Sequence, residues 1–392
     1  MRKRRKCDEN MKKIDIAKLK RALTSRSLLD IKNKVICCSQ VAVNQNGIKI
    51  YEAEFGTNGA DGEKLRKDAT FRIASMTKPI TVLAVLQQVE KGNIDLNAPV
   101  SEYLEGYKNL PIGKKVNGKL EIVGKSKTPI RLYNLFSHTS GVEAGDIVDE
   151  FTTKMTEEEK SSLKTVVEYF SDKPLFFETG TAQSYSPHVA FDIGARIVEK
   201  VSGMDFASYI KHNITDLIGM KDTTFTPTDE QWDRLVKLHE LDVNGNMKLT
   251  ETDRKHIYAL NPITYYCGGA GLMSTTADYL LFAETLLRGG VAPNGKKVID
   301  EKYLKEMSKP YCPIEFMGEG ACVTWGLGVR VFTNGNGRLP QGTFGWSGAY
   351  GTHFWVDPIN KIVAVYMKNS LYDGGSGAVT SAHFEEDVIN SI

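Results

Sequence analysis

The stretch FRIASMTKPITVLAVLQQVEKG, residues 71–92, decides how the chain folds around its most reactive side chains. Its apolar residues recur with the spacing of a largely buried helix, which we expect to span about residues 75–91. Pro79 is tolerated only in the first turn of such a helix, where its missing N–H costs little. The pattern therefore predicts that Ser75 and Lys78 lie at the entrance of a core helix.

Ser75 and Lys78 form an S-x-x-K pair and share one face of a helical turn. A Ser hydroxyl is a poor nucleophile without a base, and a neutral Lys amine in a buried setting can accept its proton. The helix N-terminus adds partial positive charge and N–H donors. Ser161 and Lys164 form a second S-x-x-K, but in a charged stretch with no apolar helix behind it. The first pair is therefore the better nucleophile candidate.

Composition places the chain among ordinary globular proteins. It has 392 residues, of which 41% are hydrophobic and 25% charged, so it can bury a core and is not mainly disordered. Lys and Arg number 50 against 48 Asp and Glu, for a net charge of +2. Because positive and negative charges nearly balance, there is no electrostatic reason to expect nucleic acid as a partner. Since no run of about 18 apolar residues occurs, we expect no membrane-spanning helix.

The N-terminus and the cysteines together predict a cytoplasmic protein. The basic cluster at residues 2–6 resembles the start of an export signal, but the amphipathic residues after it lack the apolar run that a signal needs. We expect a solvated terminus there. The cysteines have no zinc-binding spacing and are predicted to be reduced thiols, mostly in the core. They are Cys7, Cys37, Cys38, Cys267, Cys312 and Cys322.

Strand patterns lie near both chain ends, with helix patterns between them. Asn46-Gly47 separates two alternating runs and predicts a hairpin, because both residues tolerate positive φ. Residues 325–332, 350–356 and 362–367 also look like strands, and residues 189–201 look like a helix.

Short antiparallel strands need partners, so the two ends most economically share one sheet, in an α/β fold of the α+β type. We divide the chain into a basic tail and helix (1–33), a first part of the α/β domain (34–100), a mainly helical insertion (101–260) and a second part of the α/β domain (261–392).

Several segments in order resemble the serine β-lactamase and penicillin-binding-protein superfamily, specifically its class C-like branch and the family VIII carboxylesterases. The resemblance covers about residues 35–392 and implies a β-lactamase/transpeptidase-like fold, with a central antiparallel sheet flanked by helices. The matching segments are FRIASMTKPIT (71–81), LFSHTSGV (135–142), FETGTAQSYS (177–186), GGAGLMST (268–275) and FGWSGAYGTHFWVDP (344–358).

The resemblance also implies roles for individual residues. Ser75 would be the acylated nucleophile, and Lys78 would be its proton acceptor or the group that tunes the proton acceptor. Tyr185 would pass a proton to the leaving group and later activate water. The main-chain N–H groups of Ser75 and Ala349 would form the oxyanion hole, where losing one donor costs about 2.7–4 kcal/mol in comparable sites.

The third motif of the family and the residues after Tyr185 depart from the β-lactamase pattern. Where β-lactamases usually carry Lys-Thr-Gly, this chain has Trp346-Ser347-Gly348, as family VIII esterases tend to. We expect these residues to line the substrate, with Gly348 allowing its close approach to the strand. The usual Tyr-x-Asn is Tyr185-Ser186-Pro187, with His188 next as a further candidate substrate contact. Both losses favour a neutral ester over a penicillin, whose carboxylate a cation would bind.

Other hydrolase signatures do not occur. The sequence has no G-x-S-x-G and no HExxH, so an α/β-hydrolase elbow and a zinc protease are both disfavoured. We expect neither a metal nor a cofactor. His138 lies in a Ser-, Thr- and Gly-rich turn and is predicted to be structural rather than catalytic.

The sequence thus predicts a serine carboxylesterase that works on a small-molecule ester or acyl donor through an acyl-enzyme on Ser75. Three alternatives stay open: a β-lactamase, DD-peptidase or amidase that uses the same site; an acyltransferase to a small-molecule acceptor; and a non-catalytic penicillin-recognising protein, against which the intact Ser75, Lys78 and Tyr185 argue. Residues 143–174 are expected to border the cleft and set substrate size. The oligomeric state stays open.

Overall fold

A computed structural model describes residues 11–58, 62–250, 263–335 and 337–392 of the chain. The N-terminal basic cluster and Cys7 lie outside these residues, whereas the other cysteines are free thiols, three of them buried. Within the described ranges, no helix is both long and apolar enough to cross a membrane.

The strands include one large set and three small pairs. They are β1 (Cys38–Gln45), β2 (Ile48–Gly56), β3 (Thr70–Arg72), β4 (Pro111–Val116), β5 (Lys119–Lys125), β6 (His239–Leu241), β7 (Met247–Leu249), β8 (Met273–Thr275), β9 (Val323–Trp325), β10 (Arg330–Phe332), β11 (Phe344–Ser347), β12 (His353–Asp357) and β13 (Ile362–Met367).

The helices range from single turns to the long segments that pack against the sheet. They are α1 (Ile16–Lys32), α2 (Thr77–Glu90), α3 (Leu132–Phe136), α4 (Asp149–Thr152), α5 (Leu163–Tyr169), α6 (Val189–Ser202), α7 (Phe206–Ile210), α8 (Asp216–Ile218), α9 (Asp229–Asp233), α10 (Thr276–Leu287), α11 (Glu301–Leu304) and α12 (Val379–Ile389).

The central sheet joins the two ends of the chain, as the sequence predicts. Its seven strands run in the order β2-β1-β13-β12-β11-β10-β9, and every neighbouring pair is antiparallel. The pairing of β1 with β13 connects residues more than three hundred positions apart, with Gln45 opposite Ile362. The α/β class and the β-lactamase/transpeptidase-like fold are therefore confirmed.

Local predictions are mostly confirmed. Asn46 and Gly47 both have positive φ and close the β1–β2 hairpin. Helix α6 ends at Gly203, which has a φ of +71°. The single strand predicted for residues 325–332 is wrong: β9 and β10 form a hairpin there. The cause is Gly328, whose φ of +69° turns the chain.

Helix α2 is the centre of the molecule. Almost all of its residues are buried, because it packs against α6 and the surrounding core and exposes little of its surface to solvent. A single core combines side chains of α2, α6 and the sheet, such as Val85, Phe191 and Val365. Residues 101–250 contain the hairpins β4–β5 and β6–β7 besides short helices and the 14-residue α6. The division into four segments stays a prediction.

Candidate active site

The candidate nucleophile lies in a strained turn at the start of α2. A short 3-10 turn, Ala74–Met76, leads into the helix, so Ser75 lies just before the first α-helical residue. Ala74 has a φ of +43°, a conformation that L-residues other than Gly adopt rarely. Such outliers cluster at functional sites, where the surrounding structure holds them in place.

Lys78 is fully buried, and its side-chain nitrogen is surrounded by oxygen atoms. Its Nζ lies 3.2 Å from Ser75 Oγ, 2.5 Å from the Pro187 carbonyl oxygen and 2.8 Å from that of Gly269. A protonated Lys donates three hydrogen bonds, which match these three acceptors. A neutral amine donates only two, so its lone pair would face Ser75 once both carbonyls are bound. The arrangement can hold Lys78 in either state beside Ser75.

The Gly269 carbonyl is held in place by close backbone packing. A Cβ added to Gly269 would lie 2.6 Å from His188 Cα, so only glycine fits against the start of α6. The buried Asp192 carboxylate accepts hydrogen bonds from the Gly268 N–H, at 2.7 Å, and from the Tyr265 hydroxyl. Burial raises the pKa of the Asp192 carboxyl to about 6, although both hydrogen bonds oppose the rise.

Tyr185 lies opposite Lys78 across the nucleophile. Its hydroxyl is 2.9 Å from Ser75 Oγ, and the Trp346 indole N–H donates to the same hydroxyl at 3.3 Å. Lys78 Nζ lies 5.0 Å from the centre of the Tyr185 ring. Trp325 completes an aromatic wall, with its ring centre 4.4 Å from that of Trp346.

His138 packs against Tyr185 and supports the loop that carries it. Its Nδ1 accepts a hydrogen bond from the Ser186 N–H at 3.1 Å, and its ring centre is 4.5 Å from that of Tyr185. Burial, together with the positive charge of Lys78, lowers the pKa of His138 well below its usual value. His138 is thus a neutral ring that supports the Tyr185 loop, as the sequence predicts.

The strand of the third motif presents alternate residues to opposite faces. Trp346 points to the cleft, whereas the Ser347 hydroxyl lies 2.8 Å from His353 Nδ1 on the other face. Contact between Ser347 and the substrate therefore stays a prediction. The His353 ring in turn lies 3.1 Å from the buried Glu385 carboxylate, which also binds Arg330.

Gly348 and Ala349 follow Ser347 at the edge of the cleft. A Cβ on Gly348 would lie 2.3 Å from the Ile73 carbonyl oxygen. The glycine thus allows β11 to approach the nucleophile turn. Close approach of the substrate to Gly348 stays a prediction. Ala349 is exposed. Within the described ranges, no hydrogen bond from the main-chain N–H of Ser75 or of Ala349 is found, so both donors are free for an oxyanion.

His188 lies next to the cleft and contacts a carboxylate that the sequence did not single out. Its Nδ1 is 3.2 Å from Oε1 of Glu143, a residue with a φ of +45°. Both residues line a cavity of about 540 Å³. The cavity is also lined by Val148, Met155 and Phe170, within the segment 143–174 that was expected to border the cleft. Contact between His188 and substrate stays a prediction.

Sequence reasoning missed three supporting groups: Glu143, Asp192 and the Pro187 carbonyl. Asp192 left a signal, an acidic residue within the apolar face of α6. Glu143 left a weaker one, a charged residue between Gly141 and Gly145 just after the His138 turn. The Pro187 carbonyl left none, because any residue carries a carbonyl.

The fold and this Ser-Lys-Tyr arrangement define a serine hydrolase of the β-lactamase type, and comparison with known proteins agrees. The profile of the Beta-lactamase family matches residues 32–383. A putative D-alanyl-D-alanine carboxypeptidase of Salmonella enteritidis is 28% identical over 326 residues, covering 76% of this chain and 69% of that protein. Esterase EstB of Burkholderia gladioli is 25% identical over 349 residues, covering 82% of each chain.

A solved structure of a family VIII carboxylesterase has a TM-score of 0.76 at 17% identity. It covers 97% of this chain and 100% of its own, and so supports the shared fold. The chain therefore belongs to the beta-lactamase family, whose members are serine hydrolases. The resemblance that its motifs indicate is confirmed.

Proposed function

We propose that this protein hydrolyses neutral carboxylic esters through an acyl-enzyme on Ser75. The observation that carries the proposal is the position of Ser75 Oγ, within hydrogen-bond distance of both Lys78 Nζ and Tyr185 Oη. A nucleophile so placed has two groups that can accept or return its proton. The similarity to EstB supports the same class of substrate.

In the proposed acylation step, Ser75 Oγ attacks the ester carbonyl carbon and its proton passes to Lys78 or Tyr185. The N–H groups of Ser75 and Ala349 stabilise the oxyanion. Collapse of the intermediate breaks the bond to the alkoxy oxygen, which takes a proton from Tyr185. Water then gives a proton to Tyr185 and attacks the acyl carbon. The second intermediate breaks its bond to Ser75 Oγ, which takes back a proton from Lys78 or Tyr185, and the carboxylic acid is released.

Trp346 supports a neutral substrate. It occupies the position where β-lactamase relatives usually carry a cation, and its indole N–H is directed to Tyr185 rather than to a ligand carboxylate. The neighbouring Ser347 hydroxyl faces the opposite side of the sheet. This wall of the cleft therefore offers a substrate carboxylate no charge-assisted hydrogen bond from either side chain.

The test replaces each of the two S-x-x-K serines. Ser75→Ala is expected to abolish hydrolysis of p-nitrophenyl acetate and labelling by a fluorophosphonate. Ser161→Ala is the matched control, because its hydroxyl binds the Glu158 carbonyl and its motif partner Lys164 pairs with Glu168. It should keep both activities. Ester turnover by Ser75→Ala at the wild-type rate would refute the proposal.

A penicillin-directed activity is the second candidate, since the Salmonella relative is named a putative D-alanyl-D-alanine carboxypeptidase. Mass spectrometry of the protein after incubation with an ester, nitrocefin and a D-Ala-D-Ala peptide distinguishes the two by the acyl group left on Ser75. An added alcohol would reveal acyl transfer, and no adduct from any electrophile would favour the non-catalytic alternative. The cytoplasmic location stays a prediction.

A further inference from the structure

Glu143 is a buried carboxylate that no sequence motif of the site includes. Its side chain is 1% exposed, and it follows the Ser-His-Thr-Ser-Gly turn in a loop with positive φ. A buried charge needs several hydrogen bonds to offset its loss of water. The donors that Glu143 finds all come from one short segment just after Tyr185.

The Glu143 carboxylate binds the start of α6. Its Oε2 accepts hydrogen bonds from Ser186 Oγ at 3.0 Å, the His188 N–H at 2.7 Å and the Val189 N–H at 2.6 Å. Burial alone would raise the pKa of Glu143. The charge of His188 and these N–H donors outweigh burial, so the pKa lies below its usual value. Glu143 thus fills the position where a helix N-terminus favours an anion.

Pro187 lies between these anchored residues, and its carbonyl is the shortest contact of Lys78. Pro187 has no N–H and no polar side chain of its own, so its neighbours decide where its carbonyl points. Ser186 and His188 are both bound to Glu143, one on each side. The distance of 2.5 Å between Lys78 Nζ and the Pro187 oxygen therefore depends on Glu143.

We propose that Glu143 is a positioning residue for Lys78. It holds segment 186–189 so that the Pro187 carbonyl accepts a hydrogen bond from Lys78 Nζ, and this bond orients the amine toward Ser75 Oγ. This inference deepens the proposed function and rests on it, because the positioned amine is the one that accepts the Ser75 proton. The side chain of His188 acts here as a partner of Glu143.

The test compares Glu143→Gln with Glu178→Gln. Glu178 is a matched control, because its carboxylate also accepts bonds from two main-chain N–H groups and a Ser hydroxyl but contacts no residue of the site. In Glu143→Gln, the side-chain amide would present an N–H group where a carboxylate oxygen had accepted hydrogen bonds. A donor of segment 186–189 would then lose its acceptor. We expect its rate of Ser75 acylation by p-nitrophenyl acetate to fall about ten- to hundredfold. KM and the final extent of fluorophosphonate labelling should change less than about twofold.

Glu178→Gln should keep the wild-type acylation rate, even if its melting temperature falls as far as that of Glu143→Gln. Equal loss of rate in both variants, or a Glu143→Gln rate within about twofold of wild type, would overturn the inference. Ser186→Ala removes one donor and serves if Glu143→Gln does not fold. It should lower the acylation rate about two- to fivefold, and an unchanged rate would count against the positioning role.

A crystal structure of Glu143→Gln separates failure of this inference from failure of the proposed function. We expect the Pro187 carbonyl to lie beyond 3.5 Å, the hydrogen-bond limit, from Lys78 Nζ in that variant. A retained contact at 2.5 Å would overturn the positioning role whatever the substrate. A wild-type protein that no ester acylates would instead refute the proposed function, and the crystal structure would still decide the role of Glu143.

Discussion

Gly348→Ala tests how closely the third-motif strand must approach the nucleophile turn. The added methyl group would lie 2.2 Å from Thr352 Oγ1 and 2.3 Å from the Ile73 carbonyl oxygen. Thr352 Oγ1 itself donates to that carbonyl at 3.1 Å, so the hydroxyl and the carbonyl cannot both keep their positions. Ile73 lies two residues before Ser75, and the clash therefore moves the nucleophile relative to Ala349.

The size of the effect follows from this overlap. Real Cβ contacts below 3.0 Å essentially never occur, so β11 and the turn must separate by about 1 Å. A misplacement of about 1 Å between reacting groups costs about a hundredfold in rate. Overpacking of this kind also lowers the free energy of unfolding by about 1–3 kcal/mol. We therefore expect kcat/KM for p-nitrophenyl acetate to fall about a hundredfold.

The assay combines steady-state turnover with urea unfolding, and Gly377→Ala is the control. Gly377 has open space around its Cβ position and no positive φ, and it lies in the loop that packs against Gly348 through Gly375. It should keep wild-type turnover. Activity of Gly348→Ala within threefold of wild type would refute the reasoning. So would an equal loss in Gly377→Ala.

Three further predictions concern the proton relay, the substrate and the response to acid. Tyr185→Phe removes the hydroxyl beside Ser75 and should lower kcat for p-nitrophenyl acetate by about 10²–10⁴-fold, with little change in KM. A variant that keeps more than a tenth of the wild-type kcat would contradict this. Trp346→Lys should raise nitrocefin acylation relative to ester turnover about tenfold, because it adds a cation for the substrate carboxylate; an unchanged ratio would argue against it. The buried Glu385 keeps a pKa of about 2: burial opposes ionisation, but His353 and then Arg330 outweigh it. Its contribution to stability is thus present above pH 4.5 and lost as the pH falls from 4.5 toward 2. Glu385→Gln should lower the free energy of unfolding, measured in urea at pH 7, by about 3 kcal/mol. Below pH 4.5, the stability of the variant should depend less on pH than that of the wild type. Equal acid sensitivity of the two proteins would exclude a stabilising role for the Glu385 carboxylate.

The parts of the fold that local patterns predicted are those in which neighbouring residues decide the outcome. Helix α2 follows the apolar spacing and the early Pro79, and the β1–β2 hairpin follows Asn46-Gly47. The single strand predicted for residues 325–332 failed because the turn at Gly328 depends on packing. A Cβ there would lie 2.9 Å from Val82 of α2, a contact that no local pattern indicates.

In the candidate site too, local patterns predicted some contacts and not others. Ser75 and Lys78 are close because they are one helical turn apart, and their spacing alone predicts the contact. Tyr185 is 110 positions away from Ser75, and only its flanking motif, read through a family resemblance, indicated its role. The sequence did not indicate that the Ser347 hydroxyl binds His353, because the face of a strand that borders the cleft depends on the tertiary packing.

By itself, the sequence determined the residue types of the chemistry, the helix that carries Ser75 and Lys78, and the loss of a cation at Trp346. The tertiary structure decided the rest: that Tyr185 contacts Ser75, and that the Pro187 carbonyl binds Lys78 while Ser186 and His188, on either side of it, bind Glu143. The physical reason is that hydrogen bonds act over about 3 Å in space and are indifferent to separation along the chain. Local periodicity encodes which face of a helix is buried, but only the packed core brings residues a hundred positions apart within that distance.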